Sequence, residues 1–150
     1  EEIIEQKANQ FTYANITIFK FLDENLPVVF VDKNQIRRVF LDIIENACAS
    51  MGEGKNEKYL TIRTEGEREK VRIVISDTGP GIPKEYLTRI FEPFFTAKNI
   101  KYSKGTGLGL SIAYSIIHQH NGRIYVESEF GSGATFVIEL SAKKPAFTTP

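Results

Sequence analysis

Residues 33–51 carry apolar side chains at the helical spacing of three and four residues. They predict one long amphipathic helix, and Asp32 precedes it at the position where a carboxylate caps the first amide groups. This helix is the best specified element of the chain, and its apolar face requires a second layer of structure. That face consists of Ile36, Val39, Phe40, Ile43, Ile44 and Ala47.

Short stretches rich in strand-forming residues lie on both sides of this helix. Two pairs of them flank turns, EGERE and GSG, which predicts two antiparallel hairpins. Helices are also predicted over residues 84–90 and 110–120, the latter closed by Asn121 and Gly122 in a left-handed cap. This order indicates an α+β fold, a two-layer sandwich with helices on one face of a mixed, mostly antiparallel sheet. The predicted strands cover residues 16–21, 60–64, 71–76, 123–128 and 135–140, and an apolar run at 28–31 is either a strand or a lead-in to the helix.

Composition bounds the size and the partners of the chain. At 150 residues and 41% hydrophobic content, it is long enough for one core. Lys plus Arg equals Asp plus Glu at 19 each, so no overall field attracts nucleic acid or anionic lipid, and neither is expected as a partner. The single cysteine, Cys48, cannot form an intrachain disulfide, which fits a reducing cytoplasm.

We expect one domain, over residues 15–141. Residues 1–14 have apolar side chains at spacings of four and three, which suits the end of a helix or a linker from a preceding domain. Residues 142–150 have little apolar pattern and are expected to form a flexible tail. No apolar run approaches the ~20 residues that span a bilayer, so no membrane contact is expected of this domain.

Three glycine-bearing strings follow the first hairpin: DTGPGI at 77–82, GTGLGL at 105–110 and GSGATF at 131–136. None is a P-loop, because no Gly-Lys-Ser/Thr follows a four-residue gap, and the second is not a dinucleotide fingerprint, because no βαβ unit surrounds it. The second string runs directly into a predicted helix, where unpaired amide groups and the positive end of the helix dipole favour phosphate. Taken alone, it is equally consistent with a flexible loop.

Asp77 ends an apolar strand and precedes a glycine pair, so its carboxylate is expected to point from the end of the sheet into a cavity. A partly buried carboxylate needs hydrogen-bond donors, and the exocyclic amino group of adenine is one. The alternative is a turn residue that bonds its own loop, which is a common use of aspartate.

Asp42, Asn46 and Ser50 fall along one flank of the apolar stripe on the 33–51 helix, because they are four residues apart. Amide and carboxylate oxygens are hard ligands of the kind that Mg²⁺ accepts, with waters and substrate phosphates completing its shell. The alternative is an ordinary polar helix flank.

Five strings in this order, DIIENA, DTGPGI, FEPFFT, GTGLGL and GSGATF, resemble the boxes of the catalytic domain of sensor histidine kinases. The resemblance covers residues 15–140 and implies the Bergerat ATP-binding fold, shared with type II topoisomerase, mismatch-repair and heat-shock chaperone ATPases. It implies ATP and Mg²⁺ as cofactors. The implied partners are a phosphoacceptor histidine domain of the same protein, which is a homodimer at full length, and a response regulator.

The resemblance also implies roles for single residues. Asn46 would hold Mg²⁺, Asp77 would recognise adenine, and Lys98 would meet the phosphates. Thr135, or the backbone beside it, would lie near the adenine edge, and the phenylalanines of FEPFF would belong to a lid over ATP. The nucleotide site would comprise Asn46, Ser50, Asp77, Gly79, Gly81, Ile82, Phe91, Lys98, Gly105, Thr106, Gly107, Leu108, Gly109 and Thr135.

Position 42 departs from the family pattern, because many histidine kinases carry Asn there and this chain carries Asp42. The hydrolytic relatives keep a water-activating carboxylate four residues before the metal ligand. Asp42 therefore joins Asn46 and Lys98 as an expected catalytic residue, for ATP hydrolysis or for general-base help to an acceptor histidine.

Neither histidine of the chain fits the acceptor. His120 shares the apolar face of the second helix, where a core histidine with satisfied hydrogen bonds is expected, and His118 falls on a different, solvated face. The expected function is therefore transfer of the γ-phosphoryl group of ATP to a histidine outside this chain. The alternatives are an ATPase or serine kinase on the same fold, and a non-catalytic nucleotide-binding interaction module.

Overall fold

The computed structural model of the protein describes residues 1–52, 57–95 and 107–143. No helix within these ranges has both the length and the apolar character needed to cross a membrane. The elements are α1 (Glu2–Gln6), α2 (Ala8–Tyr13), β1 (Ile16–Leu22), α3 (Lys33–Met51), β2 (Lys58–Glu67), β3 (Lys70–Asp77), a 3₁₀ turn (Lys84–Tyr86), α4 (Gly109–Gln119), β4 (Arg123–Ser128) and β5 (Ala134–Ser141).

The strands form one five-stranded sheet in the order β1-β2-β3-β5-β4. Strand β1 pairs with β2 in parallel, with Ile16 opposite Lys58, and the other pairs are antiparallel. Both predicted hairpins are present, and the predicted α+β class with a mixed, mostly antiparallel sheet is confirmed. Because β5 inserts between β3 and β4, the strand that follows α4 lies at an edge.

The core lies between one face of the sheet and the helices α3 and α4. Its strand residues alternate with exposed or half-buried ones, as a sheet with one buried face requires. The predicted stripe on α3 is buried except for Phe40, which is half-buried. The most buried members, each at most 3% exposed, include Val39, Ile43, Ile44, Ala47, Leu60, Ile75, Ala113, Ile117, Ile138 and Leu140.

Capping interactions set the ends of both long helices. Asp32 Oδ1 accepts hydrogen bonds from the amides of Asn34 (2.9 Å) and Gln35 (3.0 Å), which confirms the predicted N-cap of α3. At the end of α4, Asn121 adopts a left-handed φ of 53°, and the Gly122 amide bonds the Ile117 carbonyl at 2.9 Å. The start of α4 has no such side-chain cap among the described residues.

His120 joins these two helix ends. Its Nδ1 donates to the Ile116 carbonyl at 2.7 Å, and its Nε2 accepts the Asp32 amide hydrogen at 3.0 Å. Both ring nitrogens are therefore engaged, as predicted for a histidine with satisfied hydrogen bonds. His118 is exposed and stacks on Tyr114 with ring centroids 4.3 Å apart.

One segment differs from its predicted structure, and in a second segment the structure decides between two predicted alternatives. The helix predicted over residues 84–90 is reduced to the 3₁₀ turn and one further turn, closed by the Ile90 amide on the Tyr86 carbonyl at 3.0 Å. Pro93 lies just beyond and disfavours helical geometry at the residue before it. The run 28–31 joins no strand in the described part of the chain and leads into α3, with Val28 and Phe30 exposed.

Both chain ends attach to the sheet or to α3. At the C-terminal side, the Ala142 amide bonds the Glu69 carbonyl at 2.7 Å and Lys143 pairs with Glu69 at 2.8 Å. The rest of the expected tail, 144–150, lies outside the described residues. At the N-terminal side, Glu2 of α1 pairs with Lys33 and Arg37 of α3, and Lys7, between α1 and α2, pairs with Glu45 at 2.6 Å.

Phe11 on α2 is only 4% exposed and belongs to the core cluster, so residues 1–14 contribute to the packing of this domain. We expect Phe11→Ala to lower the free energy of unfolding by about 3–5 kcal/mol, because it removes a buried ring and leaves a cavity. Tyr13→Ala is the matched control, since Tyr13 is 92% exposed on the same helix. Urea unfolding of the two variants measures the difference. Equal small losses would mean that α2 is not part of the folded core.

Candidate functional site

One flank of α3 connects two of the glycine strings. At one end, a Cβ added to Gly109 would lie 3.6 Å from the Asp42 carboxyl carbon. At the other end, a Cβ added to Gly79 would lie 2.7 Å from Ser50 Oγ. The eight-residue interval from Asp42 to Ser50 corresponds to about 12 Å of helix at 1.5 Å per residue. Asn46 lies between them and is exposed.

Asp42 has an unusual environment for a carboxylate. Its side chain is 20% exposed, and its Oδ2 is buried without a hydrogen-bond partner among the described residues. Arg38 Nε approaches Oδ2 only to 3.9 Å, which is too long for a hydrogen bond. Burial raises the pKa of Asp42 above its ordinary value of 3.8, and the attraction of Arg38 offsets only part of this.

This raised pKa predicts how stability depends on pH. A carboxyl group with a higher pKa in the folded state stabilises the fold below its unfolded pKa, and that contribution is lost as pH rises through the folded pKa. Asp42→Asn should therefore match the wild type below the ordinary pKa of 3.8 and be more stable than it at neutral pH. Urea unfolding midpoints measured from acid to neutral pH test this. Two parallel curves for variant and wild type would contradict a raised pKa at Asp42.

Asp77 ends β3 at its pairing with Leu60 and is 8% exposed. Its Oδ1 accepts the Gly79 amide hydrogen at 2.8 Å. Asp77 therefore bonds its own turn, as expected under the alternative that makes it a turn residue. Burial raises the pKa of Asp77, and the backbone amides of Gly79 and Ala134 lower it in part. The carboxylate is therefore both a turn residue and a largely desolvated acceptor.

The strings 77–82 and 131–136 pack against each other beside Asp77. Gly81 and Gly133 have φ values of +72° and +84°, and a Cβ at either would collide with a backbone carbonyl, that of Glu129 or of Asp77 respectively. The Gly131 amide bonds the Pro80 carbonyl at 2.6 Å. These contacts bring together two turns that lie about 50 residues apart in sequence.

Thr135 points away from this contact. Its Oγ1 lies 2.9 Å from Ser76 Oγ, and its neighbours Ala134 and Phe136 are buried on the opposite face of the sheet. Of the two groups expected near the adenine edge, the Thr135 side chain therefore lies on the other face of the sheet, and the backbone two residues before it, at Gly133, lies against the Asp77 carbonyl.

The phenylalanine cluster joins the second glycine string. The Phe94 amide bonds the Gly107 carbonyl at 3.0 Å, and Gly107, with φ of +72°, leaves no room for a Cβ beside Phe94. Phe91 packs on Tyr114 of α4 and Phe136 of β5, with ring centroids 5.4 and 6.4 Å apart, whereas Phe94 is 74% exposed. Leu108 and Gly109 lie at the start of α4. Of the other predicted site residues, Lys98, Gly105 and Thr106 lie outside the described residues.

Ser128 is a site residue that carries no motif of its own in the sequence. It ends β4, and its Oγ accepts the Ile82 amide hydrogen at 2.8 Å and donates to the Gly133 carbonyl at 2.7 Å. In the sequence, the one feature that could have indicated this role is its position at the end of a predicted strand, five residues before Gly133.

Comparison with known proteins identifies the class of protein to which this chain belongs. The family model described as histidine kinase-, DNA gyrase B- and HSP90-like ATPase matches residues 31–144. The catalytic domain of histidine kinase ThkA superposes with a TM-score of 0.81 at 32% identity, over 95% of this chain and 91% of that one. The chain therefore belongs to the histidine kinase-, DNA gyrase B- and HSP90-like ATPase family, and it is a histidine kinase catalytic domain.

Curated relatives extend beyond the chain. Sporulation kinase E of Bacillus subtilis is 36% identical over 137 residues, which are 91% of this chain and 18% of the relative. Adaptive-response sensory kinase SasA of Gloeothece citriformis is 38% identical over 140 residues, which are 93% of this chain and 35% of the relative. The chain thus spans about a fifth to a third of the length of these kinases.

Proposed function

We propose that this domain binds Mg·ATP along the flank of α3 and transfers the γ-phosphoryl group to a histidine outside this chain. The observation that carries the proposal is the path of α3 between the two strings, from Gly109 beside Asp42 to Gly79 beside Ser50. Its length of about 12 Å suits an extended nucleotide with its base at one end and its phosphates at the other.

The adenine end lies at Asp77. A desolvated carboxylate with one oxygen on the Gly79 amide retains acceptor capacity for the exocyclic amino group of adenine. Gly79, Gly81 and Ile82 form the backbone turn beside the base, and Ser50 closes the site from α3. The buried position of Asp77 supports this role, because a carboxylate at 8% exposure needs donors.

The phosphate end lies at the start of α4. Gly107, Leu108 and Gly109 lead into this helix, whose first amides have no side-chain cap in the described ranges and are free to bind phosphate oxygens. Gly105 and Thr106 continue this loop, and Lys98 adds positive charge. Phe91, anchored on Tyr114 and Phe136, holds the base of the lid.

Asn46 is the proposed ligand of Mg²⁺. The described residues contain no group of three or more His, Cys, Asp or Glu side chains that would enclose a metal, which fits an ion that keeps waters and substrate phosphates in its shell. The exposed Asn46 amide is a suitable oxygen donor, and so is Asp42 Oδ2 one turn away, which has no hydrogen-bond partner among the described residues. Mg²⁺, when bound there, would neutralise phosphate charge. The residues of this chain align the γ-phosphoryl group for in-line transfer from the ADP oxygen to an imidazole nitrogen.

The acceptor histidine and the signalling partners belong to the rest of the protein. His120 has both ring nitrogens engaged in hydrogen bonds, and His118 lies on α4 of the ATP-binding domain itself, beside Tyr114, so we propose that neither is the acceptor. We propose that the phosphoacceptor domain lies in another part of the full protein, which is dimeric, that the present domain is cytoplasmic, and that a response regulator is the signalling partner. ThkA has been crystallised with the response regulator protein TrrA, and that kinase matches this chain with a TM-score of 0.77 at 29% identity.

ATP hydrolysis is the second candidate function, and Asp42 favours it. Within the part of the chain that the structure describes, one oxygen of this carboxylate has no hydrogen-bond partner, and burial raises its pKa, which are properties of a general base that activates water. The two functions differ in where the phosphoryl group goes, to a histidine or to inorganic phosphate.

The deciding experiment supplies the full-length protein with ATP labelled on its γ-phosphate. Acid-labile, base-stable label on the protein supports transfer to histidine. Release of inorganic phosphate without protein label favours the hydrolytic alternative. Binding of ATP with neither protein label nor released phosphate would favour the non-catalytic nucleotide-binding interaction module.

Asn46→Ala provides the residue-level test. We expect about tenfold weaker binding of ATP in the presence of Mg²⁺ and little change without metal, because only a metal-mediated contact is lost. Asn34→Ala, another exposed asparagine on α3, is the matched control. Titration calorimetry with and without Mg²⁺ measures both. Identical losses in the two conditions would argue against a metal role for Asn46.

A further inference from the structure

We propose that Ser128 is a positioning residue for adenine recognition, acting through the peptide unit that links Gly133 to Ala134. The inference rests on the proposed function, since it concerns how the ATP site is held. Ser128 itself touches neither Asp77 nor the expected base. Its hydroxyl joins the two turns that flank Asp77, through the Ile82 amide at 2.8 Å and the Gly133 carbonyl at 2.7 Å.

The geometry of a peptide unit transmits this contact to Asp77. The Gly133 carbonyl and the Ala134 amide belong to one rigid plane and point in opposite directions, because the peptide is trans. Ser128 bonds the carbonyl edge of this plane, and Gly133 itself lies against the backbone of Asp77, since a Cβ added to Gly133 would collide with the Asp77 carbonyl oxygen. Fixing the peptide plane therefore fixes the turn against the residue that carries the adenine-binding carboxylate.

A hydroxyl is the side-chain group suited to this position. It donates and accepts from the same atom, so it can satisfy an amide hydrogen and a carbonyl together. Ser128 is half-buried, and its removal would leave the Ile82 amide and the Gly133 carbonyl without these partners. The turns would still touch, because the Gly131 amide bonds Pro80 independently at 2.6 Å. We therefore expect Ser128→Ala to fold with a less ordered site.

A loosened site has to be ordered again when the base binds, and this lowers affinity. We expect Ser128→Ala to bind ATP about tenfold more weakly. This loss of binding free energy corresponds to about two modest hydrogen bonds. GTP, which lacks the adenine amino group, should bind as it does to the wild type. The ratio of ATP to GTP affinity should therefore fall about tenfold, and Ser128→Thr, which keeps the hydroxyl, should restore it.

Thr64→Val is the control for lost stability alone. Thr64 Oγ1 accepts the Asp23 amide hydrogen at 3.0 Å, a comparable partly buried bond at the opposite end of the sheet. Titration calorimetry with ATP and GTP, together with urea unfolding, should show similar destabilisation in Thr64→Val with an unchanged nucleotide ratio. Should Ser128→Ala unfold, Ser128→Cys keeps the volume with a weaker donor and acceptor, and the same fall in the ratio is expected.

The outcomes separate this inference from the proposed function. If the wild type binds no ATP, the proposed function fails. If the wild type binds ATP and the folded Ser128 variant keeps the wild-type ratio, Ser128 has no positioning role. Equal losses of ATP and GTP binding, or a folded Ser128→Thr that does not restore the ratio, would likewise overturn the inference.

Discussion

Replacing Asp77 with asparagine is expected to weaken ATP binding about hundredfold, or ~3 kcal/mol, and to abolish the preference for ATP over GTP. The carboxylate offers acceptors on both oxygens, one for the Gly79 amide and one for the adenine amino group. The asparagine amide has a single acceptor oxygen, so one donor loses its partner. The domain should stay folded, because burial raises the pKa of Asp77 and a neutral amide relieves that desolvation.

Asp23→Asn is the matched control for this result. Asp23 Oδ1 accepts the amide hydrogen of Asn25, two residues on, at 2.8 Å, the same local bond that Asp77 makes to Gly79. Asp23 lies at the other end of the sheet, where its amide meets Thr64. Calorimetry should find unchanged ATP binding in Asp23→Asn. Equal ATP affinity in Asp77→Asn and the wild type would remove Asp77 from the base pocket.

Replacing Gly133 with alanine is expected to destabilise the domain by about 4 kcal/mol or more. Two costs combine at this position. The φ of +84° is unfavourable for any residue with a Cβ, and that Cβ would collide with the Asp77 carbonyl. The turn would have to move away from Asp77, so nucleotide binding should weaken as well.

Gly131→Ala separates the two costs. Gly131 has a similar φ of +93°, but nothing lies within 4 Å of where its Cβ would be. We expect it to lose only about 1–2 kcal/mol, which is the backbone cost alone. Urea unfolding of both variants gives the comparison. Equal losses would show that the 131–136 turn can shift away from Asp77 without strain, and the close packing of the two turns would then matter little.

The sequence by itself determined the elements whose causes are local. The period of the apolar residues defined α3, Asp32 capped it as predicted, and Asn121 closed α4 in a left-handed conformation. These outcomes depend on residues within one or two turns of each other, so their chemistry can be read along the chain. The ordered strings likewise identified the family without knowledge of any contact.

Local sequence patterns predicted less of the structure where contacts between segments distant in sequence decide the conformation. The apolar residues of 84–90 suggested a helix, yet only a short turn forms, with Pro93 close behind. Phe91 was expected to belong to a lid over ATP, and the sequence could not show that its ring packs on Tyr114 and Phe136. The sequence around Thr135 could not show on which face of the sheet its hydroxyl lies. The structure places this hydroxyl beside Ser76.

Only the tertiary structure decided the strand order and the surroundings of the site. The parallel pairing of β1 with β2 and the insertion of β5 beside β3 join segments about 40–70 residues apart, and many pairings satisfy the same alternation. The contact of Gly133 with Asp77 and the bridge through Ser128 depend on these pairings, whereas the burial of Asp42 Oδ2, without a hydrogen-bond partner among the described residues, depends on the packing around α3. They are set by how the layers pack, and burial depends on every element that covers a residue rather than on its own neighbours along the chain.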